Sequence, residues 1–534
     1  MKNFPLPVSR LPLVEILTLL IISGFNTLYS QPVHELTCEF YVDTTDYQSS
    51  SRGLIDSENG WALPASGTIK ILIVFAEVQY TPSSLDPNLN GSPNWPVNDI
   101  PTWASQLVDK TVLSSPQGVL TRYFKEASSG QLNILGDYLQ APSNNGVFTV
   151  SSSNSYVANG ELVAEINAVM NGNFLTSGGV MTPGAFDNWT NATSFGLPKI
   201  TPSTDSPGSY DHVMVIWRNH NDLNGGNGYG STGTIGSILG YQSDTYTAFG
   251  SSGGKIPSMI ARHEFAHFIL GHNNFHSSGG GAQSNYWISA AGGYGLLGGA
   301  GSSLLTWNGW DRYRLGWKNS ANTNLISARN TSGTEVNGDL DANNSAHAGI
   351  YILRDFVVTG DAVRIKLPFL NPATEYQQYL WLENHRGLAN NGSEFDKFIY
   401  QNSSCVDPMK WGLTAAIQID KEDKTGSTAF LGYMDYVRQI SADGMWERFF
   451  DQPILDQCLP PSWNNYPMPA TKLRENPLTG RRDLDRASID FGADGLLVYD
   501  DQTTVSADKV NGVLSISFSV MEIRDSYLPQ LGTI

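Results

Sequence analysis

The alternation of apolar and polar positions divides the chain into two textures that meet near Lys318. The first opens on "LPLVEILTLLIISGF" (11–25), an apolar run behind Lys2 and Arg10, too short to span a membrane comfortably. With the small residue Ser30 shortly after it, this reads as a signal peptide over 1–30. Residues 31–65 are polar and irregular, an N-terminal segment or propeptide. "TIKILIVFAEVQY" (68–80) is a β-rich apolar run expected to be a central strand, and residues 81–99 form a loop by composition. Residues 104–125 read as helical with a break near Pro116, and "GQLNILGDYL" (130–139) follows as a strand. "GELVAEINAVMN" (160–171) is a short amphipathic helix, "YDHVMVIWRNH" (210–220) a second central strand, and the Gly/Ser/Thr-rich stretch 224–254 a set of edge strands and loops. Beyond Lys318, short runs such as "GIYILRDFVV", "AVRIKLPF" and "LTAAIQID" alternate with turns, an all-β signature. No later stretch reaches the ~18 consecutive apolar residues of a membrane helix.

Composition narrows the partners. Only 15% of residues are charged and the net charge is −18, which argues against nucleic acid, because phosphate contacts need clustered Lys and Arg. Few lysines among abundant Asn, Ser, Thr and Gly fit a secreted surface. The three cysteines do not make a disulfide scaffold, although Cys405 and Cys458 can pair in an oxidising compartment. The sequons at Asn188, Asn191, Asn330, Asn391 and Asn402 matter only where the host glycosylates.

The chemistry concentrates in "RHEFAHFILGHNNFH" (262–276), which holds four of the nine histidines. Pro257 suits the first turn of a helix and Gly271 the position past its end, framing a helix over 257–270. His263 and His267, four apart, share one face and can reach one cation. Glu264 sits one step round, close enough to manage a water without ligating the metal. This is the H-E-x-x-H arrangement of zinc metallopeptidases. A catalytic zinc takes three protein ligands and leaves a fourth position for water. His276 is the favoured third ligand, because "GHNNF" gives it a loop in which to return; His272, Asn, Asp or a more distant residue are the alternatives.

On these residues the chain resembles the metzincin group of zinc metallopeptidases, and within it the immune-inhibitor-A-like family. Relative to the family's H-E-x-x-H-x-x-G-x-x-H/D, Gly271 comes one residue late and Asn273 stands at the usual third-ligand place. "GVLTRYFKEASSGQLNILGDY" (118–138), "AGGYGLLGGAGSSLLTWNGWDRYRLGW" (291–317) and "YLWLENHRG" (379–387) are similar to further family segments. In the second of these, Leu296 and Leu297 occupy the turn that usually carries a methionine, keeping an apolar floor without its sulfur.

The resemblance implies an α/β zincin-like peptidase domain over 66–318, a twisted mixed sheet with the active-site helix packed on it and the cleft beside an edge strand. An all-β sandwich-like region over 319–534 follows. It implies a secreted zinc endopeptidase acting on protein or peptide substrates, without stable membrane insertion once the signal is cleaved. It implies His263 and His267 as ligands and Glu264 as general base; the third ligand, for which His276 is favoured by its loop, is not fixed by the resemblance. Tyr294 and Tyr313 are candidate oxyanion donors. The alternative reading is a catalytically inactive peptidase-like surface or binding protein. Alternating oxygen side chains from Asp86 and from Asn337 raise calcium as a second cation, although neither segment has a terminal bidentate Glu.

Overall fold

The computed structural model describes residues 62–190 and 201–270, Leu296, residues 307–370 and 377–384 apart from a few internal positions, and separate strands from 413 onward. Its organising element is β1 (Gly67–Tyr80), a 14-residue strand. β1 pairs in parallel with β2 (Leu132–Leu139) on one side, and its C-terminal half pairs with β3 (Phe148–Ser152). The sheet continues past β2 through the short antiparallel strands β4 (Leu175–Thr176) and β5 (Gly179–Val180). On the other side of β1 lies β6 (His212–Trp217), also parallel, and an antiparallel edge strand, β7 (Gly228–Ser231), is joined to it by β8 (Tyr246–Gly250). The eight strands form one mixed sheet in the order β7-β8-β6-β1-β2-β4-β5, with β3 on β1.

Successive side chains on a strand point to opposite faces. Ile69, Ile71, Ile73 and Phe75 therefore enter one core, and Leu72, Val74, Ala76 and Val78 another. This double burial is why the segment reads as an unbroken apolar run. The first face is covered by α1 (Val119–Ala127), through Leu120, Tyr123 and Phe124, and by α3 (Ser258–Leu270), through Phe265, Phe268 and Ile269. The second face is covered by α2 (Asn159–Met170), through Leu162, Val163, Ile166 and Met170. The result is a mixed sheet with few helices, followed by a β-rich region.

One expectation needs adjustment in detail. The helix expected over 104–125 is reduced to a single 3₁₀ turn, Ala104–Gln106, and to α1, which begins three residues after Pro116. Between them, the Asp109 carboxylate accepts the backbone N–H groups of Gln117 and Gly118, a staple that satisfies the loop without helical bonds. Residues 62–65 are buried: the Ala62 and Leu63 N–H groups donate to the Phe268 carbonyl at 2.8 and 3.0 Å, and Trp317 Nε1 donates to the Ala65 carbonyl. They close the C-terminal turn of α3, whose carbonyls have no partner within the helix.

The core does not stop at Lys318. Phe356, Val357, Ala362, Trp381 and Ala416 belong to the same cluster as α1 and α3. A short helix, α4 (Gly309–Arg314), is capped by Asn308, which accepts from the Asp311 N–H, and by Glu383, which accepts from the Gly309 N–H at 2.6 Å. The buried Arg312 donates to the Phe356 carbonyl and to Ser129. The β-rich region contains β9 (Ser327–Arg329), β10 (Glu335–Asn337), β11 (Asp339–Asp341), β12 (Gly349–Leu353), β13 (Ala362–Leu370) and β14 (Gln377–Asn384). β9, β10 and β12 share a six-stranded sheet, and β11, β13 and β14 a five-stranded one. Among the described residues, no helix is long and apolar enough to cross a membrane.

Candidate metal and catalytic site

α3 begins one residue after Pro257, whose carbonyl accepts the Ala261 N–H, and runs through Leu270. It crosses β7 and β8 at the edge of the sheet. The approach is close: a Cβ on Gly228 of β7 would lie 2.9 Å from Ile260 Cγ1 and 2.7 Å from Phe249 Cβ. Glycine at 228 lets the edge strand come up against the helix. Behind the helix, Phe124 of α1 meets Phe265 edge-on at 5.2 Å, and the Arg262 guanidinium lies 4.6 Å over the Tyr123 ring.

The helix holds His263, Glu264 and His267 in the interior, at 1%, 0% and 0% exposure. His263 Nε2 and His267 Nε2 face each other at 3.2 Å, with the rings nearly perpendicular and their centroids 4.9 Å apart. Zinc–imidazole bonds are about 2.0–2.1 Å long and the usual site is tetrahedral, which sets two ligating nitrogens a little over 3 Å apart. The pair therefore fits a zinc ion without rearrangement. His263 Nδ1 lies 3.1 Å from the Leu296 carbonyl. A carbonyl only accepts, so Nδ1 carries the proton, and Nε2 is the nitrogen turned towards His267. Burial pushes the His263 imidazolium down to about 4, so the ring is neutral at pH 7, as a ligand must be.

Leu296 sits where the sequence led us to expect an apolar floor, and its side chain is buried in the core. Its carbonyl's contact with His263 is a contribution that sequence reasoning missed. A second missed residue is His212, at the start of β6. It is completely buried, with its ring 5.0 Å from Phe265 and 4.9 Å from Phe268. Thr245 Oγ1 donates to the Asp211 carbonyl and so accepts from His212 Nδ1 at 2.8 Å; Thr247 Oγ1 lies 3.1 Å from Nε2. Desolvation drives the His212 pKa down to about 3. The only sequence signal was a polar "DH" pair opening an apolar strand.

His276 and its alternative His272 lie outside the described residues, as do Gly271, Asn273, Tyr294, Leu297, all three cysteines, the 1–30 run and the sequons at Asn191, Asn391 and Asn402. Among the described residues, no group of three His, Cys, Asp or Glu side chains gathers round a cation position. Tyr313 packs against Trp381 at 5.8 Å, with the Arg364 guanidinium 4.2 Å over its ring. The two oxygen-rich segments are internally bonded. Asp86 accepts from the Asn88 N–H and the Asn219 amide, Asp339 pairs with Arg364, and Asp341 accepts from the Asn343 N–H and lies 3.4 Å from Lys366. The chain matches no family model, and no curated protein matches it.

Proposed function

We propose that this chain is a secreted zinc-dependent endopeptidase, with Glu264 as its general base. One observation carries the reading: two imidazole Nε2 atoms 3.2 Å apart on one turn of a buried helix. His263, His267 and, in this reading, His276 would hold the zinc, which would activate a water molecule. The zincin-like fold and the metzincin resemblance belong to the same proposal; the mixed sheet with α3 across its edge is consistent with them. The leader over 1–30 supplies the secretory step.

Bound zinc supplies a Lewis acid that acidifies water and polarises a carbonyl. The chain's residues do the rest. The Leu296 carbonyl holds the His263 tautomer, and Phe124, Phe265 and His212 fix the helix from behind. Glu264 takes a proton from the attacking water and delivers it to the departing amine.

Glu264→Gln tests this directly. The variant should retain zinc by metal analysis and lose casein cleavage by about 10²–10⁴-fold, the range ascribed to general-base catalysis. Undiminished cleavage by the variant overturns the role of Glu264. Wild-type protein that neither holds zinc nor cleaves casein favours the inactive binding protein instead.

A further inference from the structure

A second site lies in the β-rich region, away from the histidine helix. A cavity of about 280 Å³ opens among β10, β11, β12 and the turn between β9 and β10. Its polar wall contains Asn330, Asn337, Asp339 and His347. Asn330 Oδ1 already accepts from the Ser332 N–H, the Ser332 hydroxyl and the Thr334 N–H. Asn337 Oδ1 accepts from the Asp339 N–H. Both amides are therefore left with their NH₂ groups to donate. His347 Nδ1 accepts from the Asp341 N–H, which places the ring proton on Nε2. Nε2 lies 3.2 Å from the Asn344 amide nitrogen, but Asn344 Oδ1 is taken by the Ala346 N–H, so two donors face each other there. The lining thus presents three N–H donors at least partly open to solvent, where a ligand hydroxyl would take the place of water. Asp339 adds a carboxylate whose charge is balanced by Arg364, at 2.9 Å from Nε and 2.7 Å from Nη2. The opposite wall is apolar, with Val336, Tyr351 and Ile350, the last 49% exposed.

We propose that this cavity binds a neutral polyhydroxylated ring, a single saccharide unit at the end of a glycan. Ring hydroxyl oxygens accept from Asn330, Asn337 and His347, and one hydroxyl donates to a remaining lone pair of Asp339. The C–H face of the ring rests on Ile350 and Tyr351. An anion meets Asp339, a cation meets the N–H donors and Arg364, and a wholly apolar ligand leaves those donors dry, which is costly. Small-molecule sites span about 300–1,000 Å³, so a cavity just under that range suits one ring and not a chain of them. The site is independent of the histidine helix and of any peptidase activity.

The full chain should be titrated with the methyl glycosides of glucose, galactose and mannose and with N-acetylglucosamine, read by saturation-transfer NMR. At least one should bind saturably. Asn337→Asp keeps the acceptor for the Asp339 N–H and removes the donor, so affinity should fall about tenfold, on the order of one hydrogen bond. Ile350→Ala, at a half-exposed position, should weaken binding through the lost apolar wall, and it carries the test if the first variant does not fold. No saturable binding of any of the four probes by folded wild-type protein overturns the proposal. So does binding that neither variant weakens.

Discussion

The two faces of the central sheet are covered by similar means to different ends. Beneath α2, Leu162, Val163, Ile166 and Met170 close on Leu72, Val74, Val213 and Val215, an apolar layer. Beneath α1 and α3, the same strands meet Phe124, Phe265 and Ile269, but that layer also buries His212, His263, Glu264 and His267. Burying polar groups is unfavourable unless they are bonded or neutral. The α3 face meets that condition with paired threonines on His212, a backbone carbonyl on His263 and depressed imidazole pKa values. A chain that needed only to fold could cover both faces as α2 does. In the proposed reading, these buried polar groups of the α3 side are the ones assigned to the chemistry.

The largest effect should come from emptying either core. Phe124→Ala and Leu162→Ala should each destabilise by about 3–5 and 2–5 kcal/mol in denaturant unfolding. Under the proposed zinc-dependent function, their zinc affinities should separate. Phe124 backs α3 directly through Phe265, whereas Leu162 lies across the sheet, so only Phe124→Ala should weaken zinc binding in the folded protein. Equal zinc loss in both variants would erase the distinction between the faces.

Next is the join between the α3 side and the β-rich region. Glu383 caps Gly309 and faces Arg312, whose own pKa is lowered to about 10 by burial despite the attraction of Glu383 and Asp361. Glu383→Ala should cost up to about 3 kcal/mol, because it leaves the buried Gly309 N–H without its acceptor and removes a carboxylate that attracts Arg312. A single cooperative transition at lower denaturant would show that both sides of Lys318 unfold together; a new, separate transition would show that they do not.

A smaller effect is set by pH. His212 titrates near 3 in the fold against an ordinary value of 6.5, so below 6.5 the unfolded chain binds a proton that the folded chain refuses. Stability contributed by the neutral ring is complete above 6.5 and declines as pH falls towards 3. By pH 5 the loss should be about 2 kcal/mol, at about 1.4 kcal/mol per unit. His212→Gln should be less stable at pH 7 yet decline less between pH 7 and pH 5. An unchanged slope would mean that His212 does not carry this dependence.

How much was legible in the sequence follows from the range of the interactions. β1, β6 and α3 announce themselves because their signals are local: unbroken apolar runs, and a proline just before a helix. The Asp109 staple spans eight and nine residues and turned an expected helix into a loop. The contacts of His212 with Thr245 and Thr247, of His263 with Leu296, and of Glu383 with Gly309 span 33 to 74 residues and leave no periodic trace. The spacing of His263 and His267 was readable because one helical turn fixes it. Which carbonyl orients His263 was not, because that depends on where a distant turn comes to rest.

The smallest effect tests the same contrast at the surface. Asp339 pairs with Arg364 in good geometry, yet its side chain is 40% exposed, and exposed pairs contribute at most about 1 kcal/mol. The guanidinium has other company: it lies 4.2 Å over Tyr313, 4.4 Å over Tyr379 and 5.6 Å from the Trp381 ring. Removing the carboxylate charge therefore leaves Arg364 held by aromatic faces rather than stranded. Asp339→Asn should lower stability by less than about 1 kcal/mol in denaturant unfolding. Glu383→Ala should cost several times as much, although each residue faces one arginine. A loss at Asp339 equal to that at Glu383 would mean that exposure does not separate the two carboxylates.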